Sequence, residues 1–192
     1  KALSIKKGII NKRFNKQERI NIKHNRSHIV LGICSDFLHK HSVSNCFGNV
    51  IKDIASTDIE IILFRGPAAK EDSNSKSIDS AVSEVVRLPN LINDATNIIL
   101  DKSIDILFYL DIGMSNYNYL LSLSRLALVQ VTTHGHPNTS GSPEIDYFIS
   151  CENYETDYSH EFYSERLIRL SRIPVNFSIP IINKSSFNVS DL

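Results

Sequence analysis

Short apolar runs rich in β-branched residues alternate along this chain with segments of helical spacing. Residues 28–34 read HIVLGIC, residues 59–64 read IEIILF, and residues 104–110 read IDILFYL. Runs of this length without polar alternation are typical of strands buried on both faces of a sheet. Between them, the apolar residues of 44–56 and 89–102 are spaced as on one face of a helix. This order predicts a doubly wound, Rossmann-like α/β fold with a mostly parallel sheet.

The remaining segments fit the same plan. Residues 65–80 are rich in Gly, Pro, Ser, Lys and Asp, and we predict a surface loop or a poorly ordered segment there. The other predicted elements are a strand over 84–88, a helix over 117–126, strands over 127–132 and 145–149, and a helix over 160–170 that runs into a short extended stretch.

Length and composition limit the class of protein. The 192 residues suit one domain of ordinary size, and 21 basic and 21 acidic side chains cancel, so no nucleic-acid partner is expected. The first ten residues are too polar for a signal peptide, and no apolar run approaches the roughly 18 residues of a membrane span. The three cysteines form no CxxC pair and are odd in number. We therefore expect reduced thiols and a cytoplasmic protein.

The domain organisation follows from these patterns. Residues 1–27 are basic, and Ile5, Ile9 and Ile10 predict a weak helical lead-in. Residues 28–175 carry the Rossmann-like domain, and residues 176–192 form a polar tail. Because the chain starts with Lys and ends on this tail, we expect a piece of a longer protein.

Ligands of such sheets bind where the strands end, which directs attention to the loop over 35–43. It holds Asp36, His39 and His41 and opens into a predicted helix, whose N-terminus favours anions. A histidine here can act as a general base or as a hydrogen-bond donor. In the alternative interpretation, Asp36 or Ser42 caps the helix and the histidines are merely solvated. No GxGxxG stands here, which excludes the ordinary dinucleotide fingerprint.

Two more loops follow strands. Asp111 is either a ligand-binding carboxylate or the cap of the next helix. In the loop over 133–142, Gly135 allows a close backbone approach, Pro137 stiffens the turn, and hydroxyl and imidazole groups offer donors to a sugar or phosphate. His134 and His136, like His39 and His41, form an HxH pair. We predict no metal, because each pair spans one loop and no acidic or Cys ligand stands at a fixed spacing.

Three segments match a known pattern in order: 125–130 (RLALVQ), 135–141 (GHPNTSG) and 145–149 (IDYFI). They resemble the O-linked N-acetylglucosamine transferases and their bacterial relatives, whose pattern is roughly R-x-A-P-V-Q, G-(Y/H)-P-x-T-(S/T)-G and (I/M)-D-Y. Weaker matches extend the resemblance over about 28–174; they lie at 35–37, 41–43, 104–107 with Asp111 and Gly113, and 163–167 with Leu170.

The resemblance implies the N-terminal domain of a GT-B glycosyltransferase, an inverting and metal-independent enzyme whose second domain binds most of the donor nucleotide. It places His41 on the family's active-site histidine, and Gly135, Pro137 and Thr139 on the loop against the donor sugar. Leu128 replaces the family's usual Pro, and one extra residue follows Phe37, so that either His39 or His41 can occupy the functional position.

We therefore expect the acceptor-side domain of a UDP-sugar-dependent transferase of GlcNAc or a hexose to a protein or glycan. The second domain is expected elsewhere in the same polypeptide, so the isolated chain is expected to be inactive. UDP-sugar is a co-substrate, and no cofactor is expected. His41 is the predicted catalytic residue, and the predicted substrate-binding residues are Asp36, His39, Asp111, His134, Gly135, His136, Pro137 and Thr139. The alternatives are a non-catalytic binding module and a metal-dependent hydrolase that uses the HxH pairs.

Overall fold

The structure is a computed structural model that describes residues 27–177. These residues form one seven-stranded sheet in which every pair of neighbouring strands is parallel. The strands are β1 Val30–Cys34, β2 Glu60–Arg65, β3 Glu84–Arg87, β4 Ile106–Tyr109, β5 Val129–Thr133, β6 Tyr147–Cys151 and β7 Arg166–Leu170. The helices are α1 Ser42–Ala55, α2 Ser73–Asp79, α3 Ile92–Asp101 and α4 Asn116–Ser122, and a single 3-10 turn spans Ser159–Phe162.

The strand order β3-β2-β1-β4-β5-β6-β7 confirms the predicted Rossmann-like α/β fold. The chain winds outward from β1 to β3, returns to the centre, and then winds the other way from β4 to β7. The order therefore reverses between β1 and β4, which is the switch point where open α/β sheets bind ligands. None of the described helices is long and apolar enough to cross a bilayer. The predicted lead-in helix and most of the predicted tail lie outside the described residues.

The core lies on both faces of the sheet, as the unbroken apolar runs require. On one face, Ile33 and Leu63 pack with Phe47 and Ile51 of α1. On the other face, a separate cluster joins residues of β2 and β4 to the buried side of α3. Each central strand is therefore covered by apolar side chains on both of its faces. Burial of such side chains is the main favourable term in folding.

The end of the chain differs from the prediction. A helix was predicted over 160–170, but only the turn Ser159–Phe162 is helical, and 166–170 form β7. β7 pairs in parallel with β6 along its whole length, from Tyr147↔Arg166 to Cys151↔Leu170. The prediction was wrong because four of the five residues of this edge strand are exposed, so the apolar run that marks the inner strands is missing.

A second difference lies in the segment over 65–80, which was predicted as a loop and contains α2. This helix begins with a capping box, in which Asp72 and Ser75 bond each other's backbone N–H groups. The fully buried Arg65 holds the helix to the sheet, donating to Asp79 Oδ1 from Nε at 2.9 Å. Its guanidinium also donates to the carbonyl of Leu38 at 3.4 Å, so one side chain joins β2, α2 and the loop after β1.

We expect Asp79→Ala to destabilise the fold by about 3 kcal/mol, because it leaves a buried guanidinium without its counter-charge. The matched control is Asp157→Ala, since Asp157 forms an exposed pair with Arg169 at 3.4 Å. This control should change the unfolding free energy little. Urea unfolding at neutral pH measures both, and equal losses would show that Arg65 needs no partner.

Candidate functional site

The loops after β1 and β4 meet at the switch point on one buried carboxylate. Asp111 Oδ2 accepts from the hydroxyl of Ser35 at 3.0 Å and from the backbone N–H of Asp36 at 2.8 Å. Its other oxygen accepts from the amide of Asn118 at 2.6 Å. Burial raises the pKa of Asp111 to about 6, and the charge of Asp36 acts in the same direction, although these hydrogen bonds oppose both.

Asp36 completes this cluster. One of its oxygens accepts from the Ser115 hydroxyl at 2.5 Å, and the other is buried without a hydrogen-bond partner. A Cβ on Gly66 would lie 2.1 Å from that oxygen, so only glycine leaves room for it. Because Asp36 and Asp111 are 2% and 0% exposed, they lie beneath the surface, where they join the two loops. The alternative that Asp111 caps the next helix is wrong, since Ser115 is the N-cap of α4.

The third loop follows β5 and lies against the end of β4 and the loop after it. A Cβ on Gly135 would lie 2.1 Å from the carbonyl oxygen of Leu110 and 2.7 Å from Cα of Asp111. The backbone of this loop therefore rests on the end of β4. Gly113 has a φ of 96°, and a Cβ there would lie 2.7 Å from Cβ of His136. Both glycines are dictated by the close approach of the loops after β4 and β5.

A cavity of about 90 Å³ opens beside this contact. Its walls combine hydroxyl, amide and imidazole groups with two aromatic rings, an aliphatic side chain and a glycine, and no Lys, Arg, Asp or Glu is among them. The lining residues are Ile112, Gly113, Tyr119, Thr132, Thr133, His136, Asn138, Thr139, Ser140 and Phe148. Two predicted site residues, His136 and Thr139, thus line the cavity. Gly135 lies next to it through its backbone contact with β4, and Pro137 is exposed in the same loop.

Glu165 anchors the outer part of the third loop, a role that the sequence did not reveal. Its carboxylate accepts from the Thr139 hydroxyl at 2.6 Å, from the backbone N–H of Ser140 at 2.8 Å and from the Ser140 hydroxyl. The backbone N–H of Ser164 donates to Thr139 at 2.9 Å. Glu165 is only 5% exposed, so a buried charge is matched by donors from the loop. Its place in the matched segment 163–167 was the available signal.

Arg125, Gln130 and Asp146, which belong to the matched segments 125–130 and 145–149, form a hydrogen-bonded cluster where the third loop returns to the sheet. Arg125 donates to both oxygens of Asp146, and its Nε lies 3.2 Å from Glu144 Oε2. The Gln130 side chain accepts from the N–H of Leu126 at 2.7 Å and donates to the carbonyl of Glu144 at 2.8 Å. These three side chains hold the chain between β5 and β6, so they shape the loop without lining the cavity.

The first loop places His41 at the start of α1, where it is the N-cap. Its Nδ1 accepts from the backbone N–H of Val43 at 3.2 Å. The capping interpretation named Asp36 or Ser42, and the structure assigns the cap to His41. Its ring stacks on Phe37 at 4.6 Å and lies 5.8 Å from the ring of His39. His39 is half-buried, and its Nδ1 has no hydrogen-bond partner.

The histidines of the third loop diverge. His136 lies against Gly113, whereas His134 contacts the Ser150 hydroxyl at 2.9 Å and the rings of Phe148 and Tyr154. Burial lowers the pKa of His134, although the charge of Glu155 opposes it. His134 therefore does not line the cavity, although its ring contacts Phe148, which does; Asp36, His39, His41 and Asp111 are not among the lining residues either. Among residues 27–177, no three His, Cys, Asp or Glu side chains are grouped to hold a metal ion.

A comparison with solved structures supports this fold. A mutant O-GlcNAc transferase of Thermobaculum terrenum superposes with a TM-score of 0.69 at 24% sequence identity. The match covers 77% of this chain and 28% of that chain, so this chain corresponds to a minor part of its neighbour. No protein-family model matches the sequence. A search of curated proteins finds no match either.

We expect Asp111→Asn to remove a pH dependence of stability. The folded-state pKa of about 6 lies above the ordinary 3.8, because the protonated carboxyl is favoured in the folded protein. The contribution of Asp111 to the free energy of unfolding is therefore complete below pH 4, and up to about 3 kcal/mol of it is lost as the pH rises through 6. Asn118 can turn its amide to accept from the new side chain, because its own oxygen has no partner now. Urea unfolding at pH 4.5 and 7.5 measures the slope. The exposed control Asp157→Asn should keep it, and a variant with the wild-type slope would contradict the assignment.

We expect Gly135→Ala to cost about 3 kcal/mol, because the added methyl group meets backbone atoms that cannot turn away. Gly141→Ala is the matched control in the same loop, since a Cβ there meets nothing within 4 Å and only its φ of 64° is strained. That control should cost about 1 kcal/mol. Thermal and urea unfolding compare the two, and an equal cost would mean that the loop does not rest on β4.

Proposed function

We propose that this chain is the N-terminal, acceptor-side domain of an inverting glycosyltransferase that uses a UDP-sugar. The observation that carries the proposal is the cavity beside the loops after β4 and β5, whose lining combines hydroxyls, an amide and an imidazole with aromatic rings and has no charged side chain. Such a lining matches an uncharged polyol better than a phosphate, which proteins bind with Arg, Lys or backbone N–H groups. The likeness to an O-GlcNAc transferase supports the same class.

The chemistry of this class needs orientation more than covalent help from the protein. An acceptor hydroxyl or amide forms a bond to the anomeric carbon, the bond to the UDP oxygen breaks, and the acceptor loses one proton. We propose that the Thr139 loop holds the sugar against Phe148, and that His41 acts on the reacting groups from the first loop. Fixed geometry of this kind lowers the barrier by removing motional freedom beforehand.

The nucleotide needs positive groups that this cavity lacks. We therefore propose that a second domain of the same polypeptide binds the UDP, consistent with the 28% of the neighbouring chain that the match covers. The donor sugar, GlcNAc or a hexose, and a protein or glycan acceptor complete the proposal, which includes no cofactor. We also propose that the protein works in the cytoplasm, where its three free cysteines, two of them buried, stay reduced.

The test is a panel of UDP-sugars with the full-length protein, in which hydrolysis and transfer are both measured. We expect one donor to be used, and Asn138→Ala to weaken its use about tenfold, the effect of one lost hydrogen bond to ligand. Asn153→Ala is the control, because Asn153 is exposed outside the cavity lining. We further expect His41→Ala to lower transfer far more than His39→Ala.

Each alternative gives a different result. If no UDP-sugar is turned over but the sugar alone shifts amide signals of 132–140, the chain is a non-catalytic binding module. If purified protein carries zinc and hydrolyses its substrate only with zinc, the hydrolase interpretation replaces ours. Sugar transfer by the isolated 192-residue chain would overturn the proposed need for a second domain.

A further inference from the structure

Two further aromatic rings pack against Phe148, the residue of β6 that lines the cavity. The Tyr163 ring has its centroid 4.7 Å away at an interplanar angle of 52°, and the His134 ring lies 5.2 Å away at 76°. Tilted and edge-to-face arrangements at such distances are favourable contacts between aromatic rings. Phe148 is 1% exposed, so its packed neighbours, and not solvent, set the position of its ring.

One carboxylate is bonded to both of these neighbouring side chains. Glu155 Oε1 accepts from the Tyr163 hydroxyl at 2.8 Å and from the Ser150 hydroxyl at 2.6 Å. Ser150 Oγ in turn lies 2.9 Å from Nε2 of His134. Ser150 and Phe148 are alternate residues of β6, so their side chains lie on the same face of the sheet. Glu155 is therefore linked to Tyr163 by one hydrogen bond and to His134 by two.

The donors and acceptors of this network have one consistent arrangement. A carboxylate only accepts, so the single hydrogen of the Ser150 hydroxyl points to Glu155. Toward His134 the Ser150 oxygen can then only accept, which places the proton of the neutral imidazole on Nε2. Partial burial tends to raise the pKa of Glu155, but the hydroxyls of Ser150 and Tyr163 outweigh it and lower the pKa. The carboxylate is therefore charged at neutral pH, and hydrogen bonds to a charged acceptor are the stronger kind.

We propose that Glu155 is a positioning residue, which fixes the ring of Phe148 as one wall for the bound sugar. It acts through Tyr163 directly and through Ser150 on His134. Glu155 is not among the residues that line the cavity, so its effect reaches the ligand through the Phe148 ring. The identity of that ligand rests on the proposed function. A ring whose position is set beforehand loses less freedom when the sugar binds against it.

The first test separates the sugar from the nucleotide, using the full-length protein with UDP-GlcNAc, UDP-glucose and UDP-galactose as donors. We expect Glu155→Ala to raise the KM of the donor in use about tenfold, because the freed side chains must be fixed on binding. The inhibition constant of UDP should stay unchanged, since UDP lacks the sugar that contacts Phe148. Glu155→Gln should stay close to the wild type, because its amide oxygen can accept from both hydroxyls that now bond Oε1.

Two further variants serve as comparisons. Tyr163→Phe keeps the ring against Phe148 and removes only the hydrogen bond to Glu155, so it should raise the KM less than Glu155→Ala does. Glu152→Ala is the matched control, because Glu152 is exposed in the same connection between β6 and β7 and lies outside the cavity lining. This control should change neither the KM nor the inhibition constant of UDP.

A second measurement needs no activity. NMR spectra of the full-length protein with labelled phenylalanine rings report how fast the Phe148 ring flips, and Phe148→Leu identifies its signals. We expect the flips to be about tenfold faster in Glu155→Ala than in Glu152→Ala, the effect of a barrier lowered by about one hydrogen bond.

The outcomes separate the claims. A KM and a UDP constant that rise together, a Gln variant as impaired as the Ala variant, or an unchanged flip rate would each overturn the positioning role. A rise confined to the KM and reversed by Gln, together with faster flips, supports it. A wild-type protein that uses none of the three donors overturns the proposed function instead, and the flip rates then decide independently whether Glu155 holds Phe148.

Discussion

The buried carboxylate of Asp111 is the contact on which the site depends. It lies where the strand order reverses, and it accepts hydrogen bonds from the loop after β1 and from α4 at once. A parallel sheet leaves a crevice at this point because the chain departs in opposite directions on the two sides. Together with the hydrogen bond from Ser115 to Asp36, it ties the two loops to each other. The backbone of Gly135 rests directly on this point, against Leu110 and Asp111.

The third loop is fixed at its outer turn and at its return to the sheet. Arg125, Gln130 and Asp146 fix its return to the sheet, and Glu165 fixes its outer turn through Thr139 and Ser140. These hydrogen bonds fix the backbone of the loop before a ligand binds. A loop that is fixed in advance loses less conformational entropy on binding. Some motif residues, such as Arg125 and Asp146, are therefore supports, whereas His136, Asn138, Thr139 and Ser140 of the same motif line the recess.

The two HxH pairs show how one sequence pattern serves different purposes. In the first loop, His41 caps α1 while His39 is half-buried beside it. In the third, His136 lies against Gly113, while His134 joins Ser150, Glu155 and Tyr163. Partial burial tends to raise the pKa of Glu155, but the hydroxyls of Ser150 and Tyr163 outweigh it and lower the pKa. The same HxH spacing thus gives a helix cap at His41, a residue that lines the cavity at His136 and a member of a polar network at His134. The packing around each ring decides which of these it becomes.

Local patterns in the sequence were enough to predict the α/β class, the inner strands and most of the helices. These follow from local pattern, since strands covered on both faces must be apolar throughout and parallel strands need crossovers. It missed β7 and α2, because an edge strand needs no apolar run and α2 is held by Arg65, which lies outside the helix. Only the tertiary structure decided that Asp36 and Asp111 lie buried together, that Glu165 anchors the third loop, and which way each histidine points. The contacts that join these carboxylates to distant loops connect residues 25 to 79 positions apart along the chain, and no local pattern encodes them.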